Sequence, residues 1–153
     1  MTNIFVDADQ CPVKKEICMF TQKYSFTPFF VTTYQNNPAH VECGKWCLVD
    51  QGIESVDYFI LNQVKPGDLV VTDDLSLATL LTIRRVQVLT SRGRLISEKD
   101  AEHILLRKHL RMKNQRKNVR VKGPSPFTGR DREIFCSVFE KILSTNEGFF
   151  SSF

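Results

Sequence analysis

The 153-residue chain lacks most of the patterns that announce a chemistry. It has no G-x-G-x-x-G and no G-x-x-x-x-G-K-[ST], which excludes the dinucleotide fingerprint and the P-loop. Gly44-Lys45 has no upstream glycine, because position 39 is Ala39. There is no G-x-S-x-G elbow, so the usual α/β-hydrolase is excluded. No apolar run approaches the roughly 20 residues that a membrane helix needs. The N-terminus enters a strand-like Ile4-Phe5-Val6 without a basic or long apolar leader, so the expected location is the cytoplasm, with no membrane partner. The five cysteines are odd in number and form no C-x-x-C pair, which argues for reduced thiols rather than a disulfide framework. His40, Cys43 and Cys47 make an H-x-x-C-x-x-x-C cluster, but a zinc site would want a fourth ligand, and ordinary thiols are the better reading.

What is present is an ordinary globular composition, 42% hydrophobic and 25% charged, with an uneven charge distribution. The length fits one domain with a real core. The net charge of +4 hides three segments. Residues 1–83 hold 5 basic and 10 acidic side chains, residues 84–132 hold 15 and 4, and residues 133–153 hold 1 and 3. Such polarity raises a polyanion as partner for the basic part and a cation for the acidic part.

Strand-like and helical patterns alternate. Strands are expected at Asn3 to Asp7, Pro28 to Thr32, Cys47 to Val49, Asp68 to Thr72 and Val86 to Leu89. Helices are expected after Pro12 (Val13, Ile17, Phe20, Tyr24), over Ser55 to Val64 and over Leu75 to Ile83. Tyr34 to Lys45 reads as a loop. The pattern predicts a mostly parallel five-stranded sheet covered on both faces. Two C-terminal helices follow. One spans Ser97 to about Lys117, with Ala101, Ile104, Leu105 and Met112 as its apolar side. The other opens on a Thr128/Asp131 capping box and buries Ile134, Phe135, Val138, Phe139 and Ile142. A single domain over residues 1–144 and a C-terminal tail over 145–153 are expected.

In open parallel sheets, ligands sit at the carboxyl ends of the strands. Asp7 and Asp9 follow the first strand, Asp73 and Asp74 follow the fourth, and Asp57 lies in the helix between the third and fourth. If strands one and four are neighbours, these carboxylates meet. Crowded carboxylates raise one another's pKa, and a divalent cation relieves them; hard oxygen donors select Mg²⁺ or Mn²⁺. Any one of these aspartates is as readily a helix cap, and Asp9 and Asp74 each precede a helix. A haloacid-dehalogenase-type phosphatase also uses D-x-D, but it would want Thr or Val where this chain has Cys11. The cationic run of Arg107, Lys108, Arg111, Lys113, Arg116, Lys117, Arg120 and Lys122 is either a phosphate track or a solvated helix face. Lys14, Arg92, Arg94 and Arg130 are the candidate phosphate-binding residues.

The motifs Val6-Asp7-Ala8-Asp9-Gln10-Cys11-Pro12, Gln51-Gly52-Ile53-Glu54-Ser55-Val56-Asp57, Gly67-Asp68-Leu69-Val70-Val71-Thr72-Asp73-Asp74, Arg92-Gly93-Arg94 and Gly123-Pro124-Ser125-Pro126-Phe127-Thr128 resemble the YaiI/YqxD family of bacterial proteins, grouped with the PIN-like nucleases. The resemblance implies a PIN-like three-layer α/β/α sandwich and metal-dependent phosphodiester cleavage of RNA or single-stranded nucleic acid. Asp7, Asp9, Asp57 and Asp74 would be its catalytic carboxylates, holding Mg²⁺ or Mn²⁺ with Asp73 in support. The chain departs from the family's common pattern at Gln10, Glu54 and Ser76, none of which removes a central carboxylate. A non-catalytic nucleic-acid-binding module and a phosphatase of a small phosphorylated metabolite are the alternatives.

Overall fold

A computed structural model of the chain describes residues 2–33, 43–50, 55–116 and 125–151. Short β-branched and aromatic runs form the strands β1 (Ile4–Asp7), β2 (Pro28–Thr33), β3 (Lys45–Val49), β4 (Leu69–Val71), β5 (Gln87–Leu89) and β6 (Leu95–Ile96). The helices are α1 (Lys14–Lys23), α2 (Ser55–Gln63), α3 (Leu75–Ile83), α4 (Glu98–Arg116) and α5 (Gly129–Ser151). The strand order is β3-β2-β1-β4-β5-β6. β1 to β5 are parallel, and β6 returns antiparallel to β5.

Alternation along the strands sorts the core into two layers. Ile4, Val6, Phe30, Leu69, Val71 and Leu89 face α1 and α5, where they meet Ile17, Phe135, Phe139 and Leu143. Phe5, Val31, Val70 and Val88 face α2, α3 and α4, where they meet Ile60, Leu77, Leu81 and Ile104. The result is the expected three-layer α/β/α sandwich with a mostly parallel sheet. β1 lies between β2 and β4, so the sheet winds outward in both directions from the β1–β4 pair. That pair is the switch point, and the crevice beyond its carboxyl ends is where such sheets take ligands.

Several sequence expectations change. The sheet has six strands, not five, because the turn after β5 folds Leu95 and Ile96 back against Leu89 and Val88. Within α4, Ala101 and Ile104 are buried as expected, but Leu105, next to Ile104, is turned to solvent, and Met112 is exposed on the stretch past Lys108, where the helix outruns the layer it packs on. Within α5, Phe135 and Phe139 are fully buried and Ile134 is exposed. α5 runs on to Ser151. The thiols are not all reduced: Cys18 on α1 and Cys43, just ahead of β3, form a disulfide with Cα atoms 5.7 Å apart. That bond takes Cys43 out of the zinc reading, and His40 lies outside the described residues. Cys11, Cys47 and Cys136 are free thiols. No helix of the described residues is long and apolar enough to cross a membrane.

Candidate active site

The carboxyl edge of the sheet is fastened strand to strand by aspartates. β1 and β4 run in register as far as Val6 and Val71. One residue further, the Thr72 hydroxyl donates to Asp7 Oδ2 at 3.0 Å and accepts the Asp74 amide at 3.0 Å. Asp9 ties β1 to β2, its Oδ1 accepting the Thr32 hydroxyl at 2.6 Å and the Thr33 amide at 3.0 Å. Asp73 ties β4 to the end of β5, its two oxygens accepting the Ser91 amide at 2.8 Å and the Ser91 hydroxyl at 2.5 Å. Asp74 caps α3, and its Oδ1 accepts the amides of Ser76 and Leu77 at 2.9 and 3.1 Å. Asp57 enters from the first turn of α2.

These five aspartates line one cavity of about 480 Å³, together with Gln10, Cys11 and the hydroxyls of Thr33, Ser55, Thr72 and Ser91. The five aspartates singled out in the sequence thus lie around one cavity. The hydroxyls carry one weaker signal: Thr72 directly follows β4, and Ser91 comes two residues after β5. The cavity is electrostatically loaded. Burial pushes the Asp7 carboxyl up to about 6, and the neighbouring carboxylates of Asp9, Asp74 and Asp73 add to the rise against the Thr72 hydrogen bond. Burial also pushes the Cys11 thiol up to about 12, so it is no nucleophile at neutral pH.

The aspartates share a cavity without forming a finished cage. Among the described residues, no three His, Cys, Asp or Glu side chains are gathered as metal ligands. The fastening explains this, since Asp9, Asp73 and Asp74 are each drawn toward a different strand end or helix start.

The candidate phosphate-binding residues stand outside the cavity lining. Arg92 pairs with Asp131 at 3.2 Å and donates to the carbonyl and hydroxyl of Ser125. Arg94 pairs with Asp100 at 2.9 Å. Between them, Gly93 (φ +83°) lies so close to α5 that a Cβ there would stand 2.8 Å from the Phe135 amide nitrogen. Arg92-Gly93-Arg94 is therefore a bracket that holds the starts of α4 and α5. Arg130 is exposed near the start of α5. Lys14 opens α1, close enough to Cys11 for its charge to be felt there.

A family profile described as "Uncharacterized BCR, YaiI/YqxD family" matches residues 5–145. The chain belongs to the YaiI/YqxD family. It is 38% identical over 146 residues to a UPF0178 protein of Bacillus velezensis, covering 95% of this chain and 87% of the relative. It is 36% identical over 148 residues to a UPF0178 protein of Bacillus cytotoxicus, covering 97% of each. A third YaiI/YqxD relative, a UPF0178 protein of Listeria monocytogenes, is 33% identical over 135 residues, covering 88% of this chain and 92% of the relative. No solved structure matches the chain significantly.

Proposed function

We propose that the protein is a divalent-metal-dependent nuclease acting on RNA or single-stranded nucleic acid. The observation that carries this reading is the cavity at the β1–β4 switch point, lined by five aspartates and, among the described residues, by no basic side chain. That much negative charge around a half-buried Asp7 calls for a cation. The donor set is all hard oxygen, which suits Mg²⁺ or Mn²⁺. The hydrogen bonds to Asp7, Asp9 and Asp74 each fall on one carboxylate oxygen, so the second oxygen of each is the natural ligand, with Asp57 as the fourth carboxylate. Asp73 has both oxygens bonded to Ser91 and is better read as a positioning residue. When bound, such an ion supplies Lewis acidity toward a phosphate oxygen and a readily deprotonated water. Asp7, whose proton affinity is raised while no cation is present, is the carboxylate whose charge a bound cation would relieve most. Thr72 orients it and couples it to the cap of α3.

The test is cleavage of end-labelled single-stranded RNA by the purified protein with Mg²⁺ or Mn²⁺. Cleavage should vanish in EDTA and in Asp7→Asn while the circular dichroism spectrum is retained. A wild-type protein that cleaves neither RNA nor DNA with either ion sinks the reading. Hydrolysis of phosphate monoesters in place of diesters would favour the phosphatase. The absence of a finished ligand cage among the described residues favours one second reading, a nucleic-acid-binding module without cleavage. Its mark is binding indifferent to EDTA and to Asp7→Asn.

A further inference from the structure

We infer that the distal half of α4 is an arm that grips the phosphate backbone of a single-stranded nucleic acid beside the aspartate cavity; the inference rests on the nuclease reading for the identity of the polyanion. β6 runs antiparallel to the other strands, so α4, which follows it directly, starts at the amino edge of the sheet and climbs toward the carboxyl edge. It reaches that edge at Lys108, whose Nζ donates to the Ser76 hydroxyl at 3.1 Å. The Ser76 amide is in turn held by Asp74 of the cavity. Eight further residues carry the helix about 12 Å beyond this point at the standard rise. From Leu105 to Asn114 every residue is exposed.

The charge of this stretch is one-sided. α4 has its carboxylates, Glu98, Asp100 and Glu102, in its first five residues and none from His103 to Arg116. Arg107, Lys108, Arg111 and Lys113 follow, and none of them is in an ion pair among the described residues. The helix macrodipole accounts for Lys113 in the last turn but not for Arg107, Lys108 and Arg111, since its effect fades beyond that turn. Arg107 and Arg111 are four residues apart, a like-charge spacing that weakens a helix. A polyanion removes that repulsion. It also needs cations near a cavity that would otherwise repel it, and Lys108 is joined through Ser76 to Asp74 of the cavity lining. Leu106 and Leu110, 56% and 48% exposed, offer apolar surface to sugars and bases along the same stretch.

The experiment is fluorescence anisotropy with a labelled oligouridylate in EDTA, where nothing is cut. Wild type should bind with an affinity that falls as salt rises. Arg107→Gln/Arg111→Gln/Lys113→Gln leaves Lys108 and the fold in place. It should lose about tenfold or more in affinity at low salt and flatten the log–log salt slope by about 2, at roughly 0.7 per lost phosphate contact. A triple variant with the affinity and slope of wild type overturns the inference, and so does a wild type that does not bind. A wild-type dimer that Leu106→Gln/Leu110→Gln splits, with RNA binding intact in the basic triple, also overturns it and assigns this face to a second copy of the chain. The two readings fail separately. Cleavage that persists with unchanged binding in the triple removes the arm and leaves the nuclease. Binding that the triple abolishes, in a protein that never cleaves, removes the nuclease and leaves the arm.

Discussion

α4 and α5 open alike and end differently. Each begins with a hydroxyl–x–x–Asp box, Ser97 with Asp100 and Thr128 with Asp131. Each box is gripped by an arginine from the one turn after β5, Arg94 for the first and Arg92 for the second. From there α5 lies along the sheet with Phe135, Phe139 and Leu143 fully buried, and its Arg132 and Glu140 pair with Glu16 and Lys23 of α1. α4 buries Ala101 and Ile104 and then leaves the core, and Arg107, Lys108, Arg111 and Lys113 form no ion pair among the described residues. The difference separates charge that builds the fold from charge available to a partner, and that distinction is invisible in a count of basic residues.

The largest test of this contrast is truncation. Phe139→Ala removes a ring stacked on Phe135 at 5.2 Å in a fully buried layer, and should cost about 3–5 kcal/mol in urea unfolding. Leu110→Ala on α4 should stay within about 0.5 kcal/mol. Equal losses at the two positions would break the comparison.

The α1–α5 face has a second fastening in the Cys18–Cys43 disulfide. It closes a 25-residue separation, and the chain-entropy relation makes such a closure worth about 3 kcal/mol. Cys18→Ser/Cys43→Ser should lower the thermal midpoint, and dithiothreitol should lower that of wild type and not of the variant. Insensitivity of both proteins to reductant would count against the bond.

How much of this was legible follows from the range of each signal. The alternation of strands and helices, the α3 boundaries, the Thr128/Asp131 box and the aspartates at strand ends depend on near neighbours, and periodicity and capping chemistry reveal them. The switch point needed one inference, that β1 and β4 pair. The disulfide was hidden because its partners are chosen by how α1 packs beside β3. β6 has two residues, too few to show a period, and exists because the turn around Gly93 reverses the chain. Arg92 read as a phosphate ligand because its partner, Asp131, lies 39 residues away. The hydroxyls of Thr72 and Ser91 were overlooked beside the aspartates they hold.

Between the two helical faces lies the cavity rim, where the expected effect is smaller and opposite in sign. Asp7 holds its proton more tightly when folded, at about 6 against 3.8 in its ordinary state. The folded protein therefore gains stability as pH falls from about 6 toward 4 and loses it as pH rises through that window. In EDTA, Asp7→Asn should be more stable than wild type by about 2 kcal/mol above about pH 7, and equal to it near about pH 4. A variant less stable at both pH values would mean that the Asp7 carboxylate is a structural fastener like Asp73, not a strained group waiting for a cation.

The smallest effect returns to α4. If Arg107 and Arg111 were solvated decoration with hidden compensation, Arg107→Gln/Arg111→Gln would leave stability unchanged or lower it. If they are uncompensated like charges one turn apart, the double variant should gain about 0.2–0.5 kcal/mol in low-salt urea unfolding. The gain should shrink as salt screens the pair. Both residues are exposed and outside the core, so no packing loss obscures the sign. A salt-dependent gain on α4, set beside the large loss from a single buried ring on α5, identifies a helix whose sequence gives up a little stability to keep positive charge next to an acidic cavity.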